Sequence, residues 1–491
     1  MERKLIRMPT TDHQPWAHPF LNRSSLSAFA EYSAAVHDWA AIAAAGYRPP
    51  SCVFTVNMAQ NMHNWAVLSQ NAGWDVALMP HPHDLSALSD PAWEYFDGAF
   101  AWPLDGSQFK AIFTPKSPVP VVHVPMDGVA FLEAANSVDP DRRDDFLVSR
   151  YGGRYFELLN YTATYPYFAW AKAISKFDVS YAAASPIASF ASGKPYLAFS
   201  VGGDLQFECG RLDPASILLR KSFASANFLL ASNPVTLGHA RRLGLQNLVH
   251  VPYPISTKRY SPGEGRARKE WKRLTEGELF VLITSRIDSA VKGNGANLIE
   301  AMRSVVERVP SVRFVFLSWG DEIEDLKRAV DSAGLSSHVL LLPTVGKSRL
   351  IDYYRSADVV LDQLVSGYYG ASALEAMSIG VPVVMRMNED QYSPLYFGDT
   401  APVADATDND SLVKQLSHLC LSAKERKKMS KNSRQWIVRH HSENEAGQKM
   451  LNLLTVAAYK EFVPMHILRQ NPLLWESTDE ENSYHSKCVG S

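Results

Sequence analysis

At 491 residues, of which 46% are hydrophobic and 20% charged, the chain is too long for one growing core and has the composition of soluble globular domains. Its 49 basic and 51 acidic residues leave a formal net charge of -2, which removes any global field that would draw nucleic acid. Cys52, Cys209, Cys420 and Cys488 lie far apart with no C-x-x-C pair, so a reducing compartment is expected, and neither a disulfide framework nor a zinc site.

The first residues, M-E-R-K-L-I-R-M-P-T-T-D, lack a secretory apolar core, and no run approaches about eighteen apolar residues, so the expectation is a cytoplasmic protein. Residues 1–50 read as a helical or irregular extension packed on the first domain, its alanine-rich part interrupted by Glu31, His37 and Asp38. From Ser51 the pattern changes to strand, helix and strand: S-C-V-F-T-V-N-M, then H-N-W-A-V-L-S-Q-N-A-G, then W-D-V-A-L-M, a βαβ unit. Further strands are predicted at V-P-V-V-H-V (119–124), F-D-V-S-Y-A (177–182), P-Y-L-A-F-S-V (195–201), A-N-F-L-L-A-S (226–232) and N-L-V-H-V (247–251). Continuous rather than alternating apolar runs point to a parallel sheet covered on both faces.

The stretch 251–265, with three prolines and two glycines, reads as a linker. The βα rhythm then restarts with L-F-V-L-I-T-S (279–285), and the helix over 297–309 sets Leu298, Ile299, Met302, Val305, Val306 and Val309 on one face. V-R-F-V-F-L-S, V-L-L-L-P, D-V-V-L-D and V-P-V-V-M-R continue the series. The fold class is therefore α/β: two Rossmann-like, doubly wound domains in tandem, over 51–255 and 256–459, with a polar tail over 460–491.

Ligands of such sheets lie at the carboxyl ends of the strands. There, S-R-I-D-S-A-V-K-G-N-G (285–295) puts Arg286 and Lys292 in one strand-to-helix loop beside glycines, the charge and close backbone approach that a diphosphate needs. Solvated surface cations would give the same text. Further on, S-G-Y-Y-G-A-S-A-L-E-A-M-S-I-G-V-P-V-V (366–384) opens a helix at Gly370, Ala371 and Ser372, whose free amides and dipole favour an anion. Glu375, one turn in, can accept from vicinal hydroxyls such as those of ribose, or simply face solvent.

Taken together, these two pieces resemble the donor-binding half of the GT-B glycosyltransferases of family four, the large retaining group (glycosyltransferase group 1), over roughly 279–459. The resemblance implies two facing domains with a deep cleft, the second holding a nucleotide-diphosphate sugar as co-substrate with no other cofactor. Arg286 and Lys292 would be the diphosphate pair, and Glu375 the second glutamate of the E-x7-E motif, on the ribose. Backbone near Thr344 and Val345 would contact the base. In the first half, K-P-Y-L-A-F-S-V-G-G-D-L (194–205) is similar to the family's glycine–aspartate loop, which would bring Gly202, Gly203 and Asp204 to the cleft, Asp204 among the catalytic groups; a helix cap is the other reading of Asp204. The carbohydrate or glycolipid acceptor would lie on that side, and contact with the inner face of a membrane stays open.

Three positions depart from the family. Gly367 stands where the first glutamate of E-x7-E falls, Val201 where a histidine often precedes the glycine–aspartate loop, and M-A-Q-N-M-H-N (58–64) where a double glycine is expected. Sugar recognition would then fall to backbone amides around Tyr368–Ser372, to Asp204 or to the loop Gln60–Asn64, with poor discrimination at the hydroxyl that the glutamate would have bound. His63, His81, His83 and His123 read as structural or solvated, and no protein-held metal is expected. A non-catalytic nucleotide-sugar-binding or accessory protein and a nucleotide-sugar epimerase are the alternatives to a transferase.

Overall fold

Apolar runs such as Cys52–Phe54 and Phe280–Ile283 have no polar face to offer water, and these residues are fully enclosed between helical layers. The computed structural model describes residues 50–80, 89–102, 117–124, 168–211 and 214–458; the expected extension (apart from Pro50), the tail, His81 and His83 lie outside the described residues. Strands β1 (Ser51–Thr55), β2 (Asp75–Met79), β4 (Val179–Ala183), β5 (Tyr196–Phe199), β6 (Phe228–Ala231) and β7 (Leu248–His250) form one parallel sheet in the order β2-β1-β4-β5-β6-β7. Outside β2, the segment expected as a strand at 119–124 makes a parallel bridge, with the Leu78 N–H donating to the Pro120 carbonyl at 2.8 Å.

The second sheet holds β8 (Leu279–Ile283), β9 (Val312–Leu317), β10 (Val339–Leu342), β12 (Val359–Leu361), β13 (Val383–Met385) and β14 (Ala404–Asp405), ordered β10-β9-β8-β12-β13-β14. That order reverses direction between β8 and β12, and the helices that follow these strands lie on opposite faces, so a crevice opens at their carboxyl ends.

Two short strands join the halves. β3 (Ala99–Phe100), from the first half, pairs antiparallel with β11 (Thr344–Val345), from the second. The linker at 251–265 is fastened to the second half: Arg434 donates to the carbonyls of Thr257 and Tyr260 at 2.8 and 2.9 Å, and Arg355 to that of Ser261 at 2.8 Å. After His441 the chain crosses back. The helix Gln448–Ala458 packs on β4 and β5, burying Leu451 and Leu454 there, so chain order groups it with the second domain while its apolar face covers the first sheet.

The crossing is held by a chain of hydrogen bonds that runs one way. Since a carbonyl only accepts, Nδ1 of fully buried His441 donates to the Tyr253 carbonyl at 2.7 Å. Nε2 then accepts from the Tyr396 hydroxyl at 3.1 Å, and Tyr396 accepts from Tyr369. A second ring proton would require the Tyr396 hydroxyl to turn from donor to acceptor. Burial lowers the imidazolium pKa to about 3, far below its ordinary range. With the folded pKa below the unfolded one, this contribution is complete above about pH 6.5 and is lost as pH falls toward 3. Acid melts should show up to roughly 5 kcal/mol lost through this one group. His441→Leu should be weaker at pH 7 but decline less steeply between about pH 6.5 and 4, as read from denaturant midpoints across pH.

Candidate nucleotide-sugar site

The loop after β8 is shaped by a residue that the sequence reading passed over. Asn294, buried between two glycines, donates from Nδ2 to the Arg286 carbonyl at 2.9 Å and to Ser285 Oγ at 3.1 Å. Its Oδ1 accepts from the Asp288 N–H at 2.9 Å. With a further contact to the Ser285 carbonyl at 3.3 Å, four polar contacts from one side chain fix the turn on which Arg286 and Lys292 are carried. Arg286 is exposed and pairs with Asp288 at 3.1 Å. Burial would raise the Asp288 carboxyl, but the Val291 N–H and the Arg286 guanidinium outweigh it and hold the carboxyl below its usual range.

Lys292 lies deeper. Burial lowers its ammonium from the ordinary lysine range, with Asp362 acting in the opposite sense. Asp362 follows β12, is 4% exposed, and has an Oδ2 with no hydrogen-bond partner among the described residues. Burial raises its carboxyl, and Lys292 opposes that shift. An acid closing an apolar strand, in D-V-V-L-D, was the available signal for it. The Leu364 N–H donates to the Lys292 carbonyl at 2.8 Å, joining the loops that follow β8 and β12.

Next along the crevice, the helix Ala371–Ile379 begins after Gly370, which has no side chain to cap its amides, and the Asp362 carboxyl meets the Ala373 N–H in the first turn. This is the expected anion end. Glu375 is not a solvent-facing glutamate. It is buried, with one carboxylate oxygen on the Lys347 ammonium and the other accepting from the Tyr354 hydroxyl at 3.2 Å. Lys347 also lies 5.0 Å from the Trp93 ring centroid, so the pair is enclosed by both halves. Lys347 had no sequence signal, because a lysine opening a helix is ordinary.

Thr344 and Val345 lie in β11, backed by β3. The Val345 carbonyl accepts from Trp93 Nε1 at 2.9 Å, and the Gly346 N–H donates to the Gly98 carbonyl at 3.0 Å. Glycine is required at 346, since a Cβ there would stand 2.1 Å from the Phe96 carbonyl oxygen. The strand expected at the base is thus also the seam between the halves.

On the first half, Gly202 and Gly203 follow β5, and Asp204 opens a short π-helical turn. Its carboxylate is 3% exposed and is taken up by its own loop: Oδ1 accepts from Ser200 Oγ at 2.6 Å, the Leu205 N–H at 2.7 Å and the Gly202 N–H at 3.1 Å, and Oδ2 from the Val201 N–H at 3.1 Å. Burial outweighs these bonds and pushes the carboxyl up to about 6. Asp204 therefore braces the glycine loop. The polar loop is similarly occupied: Asn57 donates to Gln60 at 3.1 Å, Gln60 to the Asp90 carbonyl at 2.6 Å, and Asn64 to the Tyr253 hydroxyl at 3.0 Å. His63 is buried, its pKa lowered by that burial to about 4, and His123 is exposed. A cavity of about 330 Å³ separates the helix Pro234–Arg242 from Gln391, between the two halves. Among the described residues, no cluster of three His, Cys, Asp or Glu could hold a metal.

Two parallel-sheet domains with a crevice of this kind at their interface have the GT-B fold of glycosyltransferases. Sucrose-phosphate synthase of Thermosynechococcus elongatus aligns with a TM-score of 0.54 at 14% identity, covering 83% of this chain and 98% of that one. HepE of Anabaena, solved with UDP, aligns at 0.55 and 12%, covering 82% and 98%. Residues 266–436 match the family of glycosyl transferases group 1. Among curated relatives, alpha-monoglucosyldiacylglycerol synthase of Acholeplasma laidlawii is 24% identical over 173 residues, 34% of this chain and 41% of that protein. Mannosylfructose-phosphate synthase of Agrobacterium fabrum is 30% identical over 203 residues, 39% and 44% respectively. The chain thus spans less than half the length of these relatives.

Removing one member of a buried ion pair strands the other, at a typical cost of about 3–5 kcal/mol. Glu375→Ala should therefore lower the unfolding free energy by that order, and Glu375→Leu with Lys347→Met should recover most of it. The same denaturation curves run with saturating nucleoside diphosphate separate a structural from a ribose-binding contribution.

Proposed function

We propose that this chain transfers a sugar from a nucleotide-diphosphate sugar to an acceptor hydroxyl in the cleft, with retention of anomeric configuration. The observation that carries this reading is the convergence of Arg286, Lys292 and the N-terminus of the helix Ala371–Ile379 at the crevice between β8 and β12. Negative charge develops on the diphosphate as the sugar departs, and prearranged cations and amides there lower the barrier without reorganising. HepE of Anabaena was solved with UDP, which favours a nucleoside diphosphate as the group held here. The acceptor is a carbohydrate or a glycolipid, a class in keeping with the names of the two curated relatives. Among the described residues no helix is long and apolar enough to cross a membrane, so a lipid acceptor would be reached from the bilayer surface.

Incubation with labelled nucleotide sugars tests the reading. Release of free nucleoside diphosphate with product formation supports it; an epimerised donor or an unchanged one overturns it. Lys292→Ala is expected to lower turnover by about two to three decades, the usual loss for one prearranged group at a developing charge. Arg286→Ala, being more exposed, should lose less. Near wild-type turnover in both variants would remove the pair from the chemistry.

A further inference from the structure

The sugar end is where this chain leaves the E-x7-E pattern, and a neighbouring residue fills the space. Gly367 has φ +68°, the left-handed region that glycine tolerates best. A Cβ built there would fall 2.5 Å from Asn388 Nδ2 and 2.9 Å from Oδ1. Any side chain at 367, a glutamate included, would displace that amide. The two residues are tied together, since the Asn388 N–H donates to the Gly367 carbonyl at 2.9 Å. Glycine at 367 and asparagine at 388 are therefore one arrangement: the first empties a volume and the second occupies it.

Asn388 follows β13 and so lies at the same strand edge as the diphosphate loops. Three residues on, Gln391 lines the cavity that faces the first half. Asn388 is partly exposed, and among the described residues its side-chain amide has no hydrogen-bond partner. The competing acceptors have partners already: Asp204 within its own loop, Gln60 with Asn57, and Asn64 with Tyr253.

We propose that Asn388 reads a hydroxyl of the donor sugar, in place of the carboxylate missing at 367; this rests on the nucleotide-sugar reading and specifies its sugar subsite. An amide accepts through one oxygen and donates through two N–H groups, so it can do both with neighbouring hydroxyls, where a carboxylate only accepts. It also adds no negative charge beside a diphosphate. Backbone N–H groups alone could not accept, which was the ground for expecting weak discrimination at this hydroxyl. With Asn388 in place, the site discriminates.

The test is calorimetric titration of wild type, Asn388→Ala and Asn388→Asp with UDP and GDP, and with UDP-glucose, UDP-galactose, GDP-glucose and GDP-mannose. Wild type should prefer one member of an epimer pair by at least about tenfold. Asn388→Ala should leave nucleoside-diphosphate affinity within about twofold, lose about 10- to 100-fold for the preferred nucleotide sugar, and bring the epimer ratio toward one. The isosteric Asn388→Asp, which loses both N–H donors, should lower the preferred sugar's affinity in the same direction, and decides the matter if the alanine variant does not fold. Unchanged epimer ratios in the variants, or no preference in wild type, overturn the assignment of Asn388 and leave the transferase reading standing. Failure of wild type to bind any of these nucleotides overturns both.

Discussion

The hydrogen bond from the Leu364 N–H to the Lys292 carbonyl joins the loops on the two sides of the topological switch, and the proposed diphosphate edge depends on it. The helices after β8 and β12 cover opposite faces, so nothing in the topology itself holds their leading loops together. Asn294 fixes the first loop internally, the Leu364 bond couples it to the second, and Lys292 faces Asp362 across the join. The electrostatics of this edge are poised: burial pushes both the Lys292 ammonium and the Asp362 carboxyl toward neutrality, and each restrains the other. A diphosphate placed beside them would strengthen the charged form of the lysine and the neutral form of the acid.

A second constraint acts between the halves. Trp93, β3 and Asp97 reach across to the Val345 carbonyl, β11 and Arg349, the last pair at 3.2 Å, while Arg259 in the linker pairs with buried Glu94 at 2.9 Å. These contacts gather beside the Glu375–Lys347 pair. Motion that widened the cleft along this seam would therefore have to break a β-pair and an indole hydrogen bond next to the strand expected at the base.

Much of this was readable from the text because its physical causes are local. Apolar runs marked nearly every strand, and the linker was visible as proline and glycine. The proposed anion edge stood out in the text because a diphosphate would demand particular residue types in a particular order: cations and glycines after one strand, a helix start after another. What escaped were partners decided by tertiary approach. Glu375 could be seen, but not the lysine 28 residues earlier that neutralises it. Asp204 stood after a glycine turn, and the text did not show the four donors that its own loop sets around the carboxylate. The helix Gln448–Ala458 was assigned by chain order, whereas its packing is set by which sheet still had an apolar face to cover.

The difference between the two ends of the site has the same origin. Charge on a diphosphate is large and fixed, so the residues that meet it are few in kind, and electrostatics leaves them little freedom to drift. A sugar hydroxyl asks only for a donor or acceptor at one point in space, and any neighbour able to reach that point will serve. At 367 the backbone turns with positive φ and carries no side chain, so the requirement passes to whatever lies across the loop, and Asn388 is within contact distance. A missing motif residue at such a point is therefore weak evidence of lost chemistry. The stronger evidence would be an empty volume, and here the volume is filled by an amide that has both a donor and an acceptor to offer.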